Sequence, residues 1–427
     1  MKRLLLYALM LVAYVATTAF RTDSIASPEA PQPEVMYQTP SVELTQPEMT
    51  QMAVLETALD TAAVDTVPKK KPGFFRRLFA GLTEGHIDRT HEKAIDLSFV
   101  AFPSYSNEPG FGIGAAMTGF YRINRQDSIL PPSDIFVSIN ASLRGFFQIY
   151  AKGNNIFPNG KSRLSYVVSL YRMPLYFWCI NAEECRRNER SQFYRLMADI
   201  QVNYLHKIHN GFFVGARFRS NFTAGTKILK PEYMLGQNSR YYTTGLGLII
   251  EYDTRDNLLN PSSGVHLSYS PMFFPSVFGT ATKSFWNNTF FVDWYQKIWP
   301  HAILAFDFYG GLNTADTPWT MREQVNVDGI RQRGYYMGSV IDNNQFAAQV
   351  EIRQHIYKRL GLTGWFGYAV FFDRFSDFKK GGASPWWLRN YGIGLRFEIK
   401  HNANVRLDCG FNYKNEIGIM FAFGEAF

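Results

Sequence analysis

Between positions 390 and 400 the chain alternates. Tyr391, Ile393, Leu395, Phe397 and Ile399 are apolar, while Asn390, Gly392, Gly394, Arg396, Glu398 and Lys400 are small, polar or charged. A period of two sends successive side chains to opposite faces of a strand, so one face of this segment is oily and the other wet. The last stretch repeats the pattern, with Ile417, Ile419, Phe421 and Phe423 on one face and Gly418, Met420 and Ala422 on the other. A soluble sandwich would turn the oily face inward and a lipid-embedded sheet would turn it outward, and a single strand reads the same in both. The whole chain separates them. Comparable segments lie near 94–103, 110–122, 134–142, 146–153, 162–172, 193–207, 211–220, 241–253, 264–274, 286–298, 301–311, 344–357, 360–372, 388–400, 403–413 and 416–427, sixteen in all when the chain is split at Arg144-Gly145.

The connections between these segments are unequal. If the first strand starts on the periplasmic side, the inner turns include His209-Asn210-Gly211, Trp299-Pro300-His301, Lys358-Arg359-Leu360 and Lys400-His401-Asn402-Ala403, all short. Segments 173–192, 221–240, 312–343 and 373–387 fall on the opposite side and are long. Bacterial outer-membrane barrels have an even number of antiparallel strands, short turns inside and long loops outside. The pattern therefore predicts an all-β chain, a 16-stranded antiparallel transmembrane β-barrel over residues 93–427.

Composition agrees. Of 427 residues 16% are aromatic and only 19% charged, and beyond the first twenty there is no apolar run of about 18 residues for a membrane helix. Aromatics without long apolar runs suit the two interfacial girdles of a barrel with a polar lumen. The net charge of +8 is modest; lumen and loop residues facing water account for it, and attraction to anionic headgroups is an alternative.

The amino terminus has the marks of an address. Lys2-Arg3 precede an apolar run from Leu4 to about Ala16, and Thr17-Thr18-Ala19 offers a cleavage site, so residues 1–21 read as a secretory signal peptide. Residues 22–68 are rich in Pro, Glu, Gln and Thr and hold no Lys or Arg, the signature of a disordered acidic periplasmic spacer. In 69–92, Lys69-Lys70-Lys71 are followed by Phe74, Phe75, Leu78, Phe79 and Leu82. Either this is a short amphipathic helix at the inner surface or barrel mouth, or it is a basic join before the first strand.

Several motifs fall at defined places on the expected barrel. Tyr252-Asp253-Thr254-Arg255-Asp256, continuing through Asn260-Pro261 to Gly264, occupies an inner turn. Its carboxylates and Arg255 can pair across the turn, while Pro261 and Gly264 supply restricted and permissive dihedrals, which is also what a well-capped hairpin needs. Arg333-Gly334-Tyr335 lies in the sixth outer loop, 312–343, and Glu351 and Arg353 follow on the next strand in the inward phase beside Gln349 and His355. Together these motifs resemble the outer-membrane assembly-factor superfamily, the BamA/TamA-like or bacterial surface antigen barrels, over roughly residues 94–427.

The resemblance implies that the sixth loop folds into the lumen and that Arg333 pairs with an acidic wall residue. Asp373, which closes Val370-Phe371-Phe372, stands where the family carries Phe-x-Asp and is the expected partner, with Glu351 and Arg353 beside it. A buried arginine lacking a carboxylate would be expensive, so a loop tip inside a lumen needs such a partner. Gly418, Phe421 and Phe423, with Phe427 at the end, resemble the terminal-strand signal of outer-membrane barrels. Family members normally precede the barrel with POTRA domains. None fits the spacer and basic segment, so the resemblance implies a member without them.

The remaining chemistry is sparse. Cys179 and Cys185 in the third outer loop either close a small disulfide ring or remain a free pair, and Cys409 is expected to face lipid. No nucleophile elbow, phosphate loop, nucleic-acid module or metal-spaced histidine set is present, so the sequence points to no enzyme, cofactor, metal or nucleic-acid partner. The expected surroundings are outer-membrane lipid and lipopolysaccharide, together with other outer-membrane or periplasmic assembly proteins. The resemblance implies outer-membrane protein assembly, insertion or translocation through a seam between first and last strands. The rivals are a passive channel, wetted by Arg217, Arg219, Glu351, Arg353, Arg396, Glu398 and Lys400, and a structural subunit of a larger complex.

Overall fold

A computed structural model describes residues 94–427 apart from 107, 125–129, 131, 380–383 and 401–402. The expected signal peptide, spacer and basic segment lie outside the described residues. Sixteen strands close into one antiparallel barrel: β1 (Asp96–Ser106), β2 (Gly110–Tyr121), β3 (Ser133–Ser142), β4 (Phe147–Ile156), β5 (Ser162–Phe177), β6 (Ser191–His209), β7 (Phe212–Thr226), β8 (Arg240–Asp253), β9 (Gly264–Phe274), β10 (Phe285–Trp299), β11 (Ala302–Asn313), β14 (Asn344–Tyr357), β15 (Leu360–Phe372), β16 (Trp386–Lys400), β17 (Ala403–Phe411) and β18 (Ile417–Phe423). Two short strands, β12 (Glu323–Gln324) and β13 (Ile341–Asp342), pair with each other inside the long connection from β11 to β14.

The period-two reading fixes which face is which. On β16, Ile393 is 67% exposed and Leu395 45%, while Asn390 and Arg396 between and beside them are 2% and 5% exposed. β15 does the same, with Leu362, Phe366 and Tyr368 exposed and Thr363 and Trp365 buried. The apolar face is thus the outer one and the charged face points into the lumen, the inverse of a soluble barrel. Strands β5, β6 and β7 run further toward the long-loop side than their alternation suggests, pairing up to Phe177↔Ser191 and Tyr194↔Thr226.

At that end the interior is apolar and packed by the loops themselves. Tyr171, Met173, Leu175, Phe177 and Phe193 of β5 and β6 gather around Ile180, Met234, Trp319 and Ile341 from the third, fourth and sixth loops. Val325, Tyr335 and Val340 of the sixth loop pack on Ala347, Ala369, Phe371 and Leu388 of the wall. These buried contacts hold the loop in the lumen, where polar groups alone would leave it hydrated. The short helix α1 (Ala182–Arg187) in the third loop starts with an Asn181 cap on the Glu184 amide, and Cys179 and Cys185 are joined across a Cα separation of 4.9 Å.

Candidate functional site

The sixth loop descends to mid-barrel and ends in a charged cluster on the wall of β11, β14, β16 and β17. Arg333, 1% exposed, donates from one guanidinium nitrogen to Glu351 Oε2 at 2.6 Å and from the other to Asp408 Oδ2 at 3.0 Å. Its guanidinium also lies 3.7 Å from the ring centre of Trp365. Two carboxylates and an aromatic face surround one planar cation, a geometry that suits arginine and that a lysine point charge cannot reproduce.

The cluster extends in both directions. Arg331, two residues earlier, donates Nε to Asp307 of β11 at 2.8 Å and lies over Tyr309. Glu351 also accepts from Arg353 at 2.8 Å, and Asp408 accepts from Arg396 at 2.6 Å and Arg406 at 3.1 Å. Arg406 reaches back to the loop through the Gly329 carbonyl at 2.8 Å. With Asp328 beside Arg331 and Glu425 beside Arg396, each guanidinium of the cluster has carboxylate company. Such buried pairs are costly to break from one side, which is what makes them a lock.

The loop backbone meets the wall through glycines. Gly334 sits at φ +107°, and a Cβ there would stand 2.7 Å from the Gly410 carbonyl carbon and 2.8 Å from the Phe411 nitrogen. A Cβ on Gly418 would in turn meet the Gly334 Cα at 2.8 Å. Arg-Gly-Tyr therefore docks on β17 and β18 at a point where three backbones touch without side chains between them. Tyr335 completes the contact by donating to the Arg389 carbonyl at 2.7 Å and accepting from the Tyr413 amide at 3.1 Å.

Asp373 is not the partner of Arg333. It follows the outer end of β15, where it accepts from Asn343 and lies 3.3 Å from Arg374, while the loop tip reaches half-way down the barrel. Depth along the strands decides the pairing: Glu351 lies in mid-β14 and Asp408 in mid-β17, level with the tip. Asp408 carries a recoverable signal, because Leu407 and Cys409 occupy the oily phase of β17 and so put Asp408 and Arg406 inward.

The inner-turn motif is a separate structure. Asp253 accepts from Arg255 through the backbone amide at 3.1 Å and the guanidinium at 3.0 and 3.2 Å, and from Arg163 of β5 at 3.0 Å. Asp256 caps the Ser262 amide at 2.8 Å and the Ser263 amide at 3.2 Å, and Asn257 caps Leu259 and Asn260. Tyr252 faces out, Pro261 is buried, and Gly264 at φ +107° closes the turn against the Thr254 backbone.

The seam between β18 and β1 is the least paired boundary. Ladders elsewhere run for most of a strand, as in β1 with β2 from Asp96↔Phe120 to Ser106↔Gly110, whereas among the described residues β1 meets β18 only at Ser106↔Met420. Below that point β18 turns inward. Phe421 and Phe423 share the outward phase of Leu407 and Val405, yet their rings lie 5.0 Å from Phe102, and Phe423 lies 5.3 Å from Phe136, both on the inner wall. The expected lipid-facing strand over 416–427 is corrected accordingly. It ends at Phe423, Gly424 turns at φ +80°, and Glu425 joins Arg396 at 2.9 Å. The Phe427 carbonyl accepts from Arg353 at 2.8 Å, so the tail enters the lumen.

No curated protein matches the chain in sequence. Among solved structures, CdiB from Escherichia coli is similar with a TM-score of 0.49 at 10% identity, over 78% of this chain and 62% of that one. CdiB from Acinetobacter baumannii gives 0.48 at 10% over 78% and 60%, and BamA from Haemophilus ducreyi lacking POTRA domains 1-3 gives 0.47 at 10% over 78% and 70%. A family model described as the Omp85 superfamily domain matches residues 182–427, which takes in the sixth loop, its wall partners and the terminal strand. That match spans more than half of the sequence, and the chain belongs to the Omp85 superfamily as an outer-membrane β-barrel.

Proposed function

We propose that this barrel acts in the assembly or translocation of outer-membrane proteins through the seam between β1 and β18. The observation that supports the reading is that, among the described residues, β1 and β18 pair only at Ser106↔Met420, whereas β1 pairs with β2 along its whole length. An unpaired strand edge is a template for an incoming strand, and a client hairpin that pairs there satisfies its backbone before it meets lipid. The inward turn of β18 leads that strand away from the β1 edge. The docked sixth loop holds β17 and β18 in place through Gly334, Gly410 and Gly418, so it acts as the fixed side against which the seam opens. The role is non-enzymatic, and other envelope proteins would deliver the client.

The test is assembly of a client barrel into liposomes with and without the purified protein, read as heat-modifiable mobility of the client. A faster conversion supports the reading. An unchanged rate in folded, reconstituted protein rejects it in favour of a structural or channel role.

A further inference from the structure

The sixth loop fills only one side of the lumen. Beside its tip lies a cavity of about 670 Å³ bounded by the inner faces of β1 and β3 to β6, the turn at 108–110, sixth-loop residues between 326 and 337, β17 and β18. This is within the range of about 300–1,000 Å³ for small-molecule sites. Its two sides differ in chemistry. Along the seam, Phe102, Phe136, Phe421 and Phe423 form a continuous aromatic wall, with ring centres 5.0 to 5.6 Å apart. Facing it is a polar strip from β3 and β4, in which Lys152 projects with Nζ 5.8 Å from the Phe136 ring centre, with Ser138 diagonal to it and Asn140 and Gln148 paired further along the strip.

Lys152 is the exception among the charged groups that border this space. Arg333, Arg406, Asp408 and Glu425 belong to the wall cluster, Asp199 is held by Arg219 at 2.9 Å, Asp328 by Arg331 at 3.3 Å, and Glu108 accepts from the Met337 amide at 2.7 Å. Among the described residues Lys152 has no ion pair, and Asp134 on the next strand already accepts from Asn154 at 2.9 Å. A partly desolvated ammonium calls for an anion, and an aromatic wall in a wet lumen calls for an apolar cover. A single kind of molecule supplies both, and the sparsely paired stretch of seam beside Phe421 and Phe423 is its route from the surrounding bilayer.

We propose that this cavity is a binding site for one anionic amphiphile, its phosphate or carboxylate head on Lys152 and its acyl chain along Phe102, Phe136, Phe421 and Phe423. The site uses the seam only as a route for lipid and stands whether or not the seam handles clients.

Full-length protein, delipidated in neutral detergent, is incubated with two photoactivatable probes, a phosphatidylglycerol and a free fatty acid, and the labelled positions are mapped by mass spectrometry. Saturable labelling of the inward residues Tyr150, Phe421 or Phe423 is expected, and the probe that labels identifies the head as phosphate or carboxylate. Lys152→Gln lowers this labelling about tenfold or more, the loss of one charged contact, while Lys152→Arg retains it. Ser138→Glu, on β3 at the diagonal position to Lys152, puts a carboxylate within reach of the ammonium and lowers labelling in the same way without removing the lysine. Outward labelling at Leu362 and Ile393 is unchanged throughout, and heat-modifiable mobility reports that each variant is folded. Labelling confined to the outer face with both probes, or lumen labelling indifferent to both Lys152→Gln and Ser138→Glu, overturns the proposal.

Discussion

Replacing Arg333 by alanine removes the cation shared by Glu351 and Asp408. Breaking a buried pair from one side costs about 3–5 kcal/mol, chiefly because the remaining charge is stranded. Here the stranding is partial, since Glu351 keeps Arg353 at 2.8 Å and Asp408 keeps Arg396 at 2.6 Å and Arg406 at 3.1 Å. The lower figure therefore applies to the salt bridges, and the lost stacking on Trp365 brings the total to about 3–4 kcal/mol. At about 1.4 kcal/mol per factor of ten, the ratio of undocked to docked sixth loop rises by at least about a hundredfold. Planar-bilayer recording is the assay, because an undocked loop uncovers the lumen. Arg333→Ala is expected to raise the fraction of time spent conducting by that factor, Arg333→Lys by less, and Asp373→Asn not at all. Arg333→Ala that conducts no more than the parent protein, or an Asp373→Asn variant that conducts as Arg333→Ala should, refutes the pairing argument.

Gly334→Ala places a Cβ 2.7 Å from the Gly410 backbone at a φ of +107° and is expected to undock the loop as Arg333→Ala does, whereas Gly364→Ala, with no heavy atom within 4 Å, leaves conductance unchanged. Loop docking should also depend on pH. Burial raises Glu323 in β12 to about 7 and Asp342 in β13 to about 6, above their ordinary values of 4.5 and 3.8. Because the docked state binds their protons more tightly, the stabilisation is full below about pH 4 and is lost as pH rises through 6 to 7, so conductance should be higher at pH 8 than at pH 5. At the inner turn, Asp253→Asn leaves Arg163 and Arg255 without their shared carboxylate and is expected to lower stability by about 1–3 kcal/mol, read as an earlier urea midpoint by heat-modifiable mobility.

The strands were legible because the barrel wall is a two-sided surface whose faces meet different solvents. Every strand must alternate, and a one-residue slip would put Arg396 into lipid, so the phase of residues 390–400 carries over directly into the structure. The loop fold was legible only through resemblance, since nothing local to Arg333-Gly334-Tyr335 states how far down the lumen it travels. Depth is a three-dimensional quantity, and it is depth that replaces Asp373, at the rim, with Glu351 and Asp408 at mid-barrel. The terminal strand misled for a related reason. Its period of two is genuine from Ile417 to Phe423, but a strand lacking a full partner on one side is free to turn, and the aromatic phase that reads as lipid-facing rests instead on Phe102 and Phe136. Glu425 carries no periodic signal at all; its role follows from the turn at Gly424 and the arginines it meets there.

The proposed role requires that the seam between β1 and β18 open. A Ser106→Cys, Met420→Cys, Cys409→Ser variant places two thiols at the sole described pairing of these strands, where a disulfide locks them and a reductant frees them. Client-barrel assembly in liposomes is then followed for the oxidised and reduced forms, with Cys409→Ser alone under both conditions as the control for Cys179–Cys185. If the seam opens, the oxidised variant assembles its client at the spontaneous rate and reduction restores the full rate. Equal acceleration in both forms would contradict the proposed role.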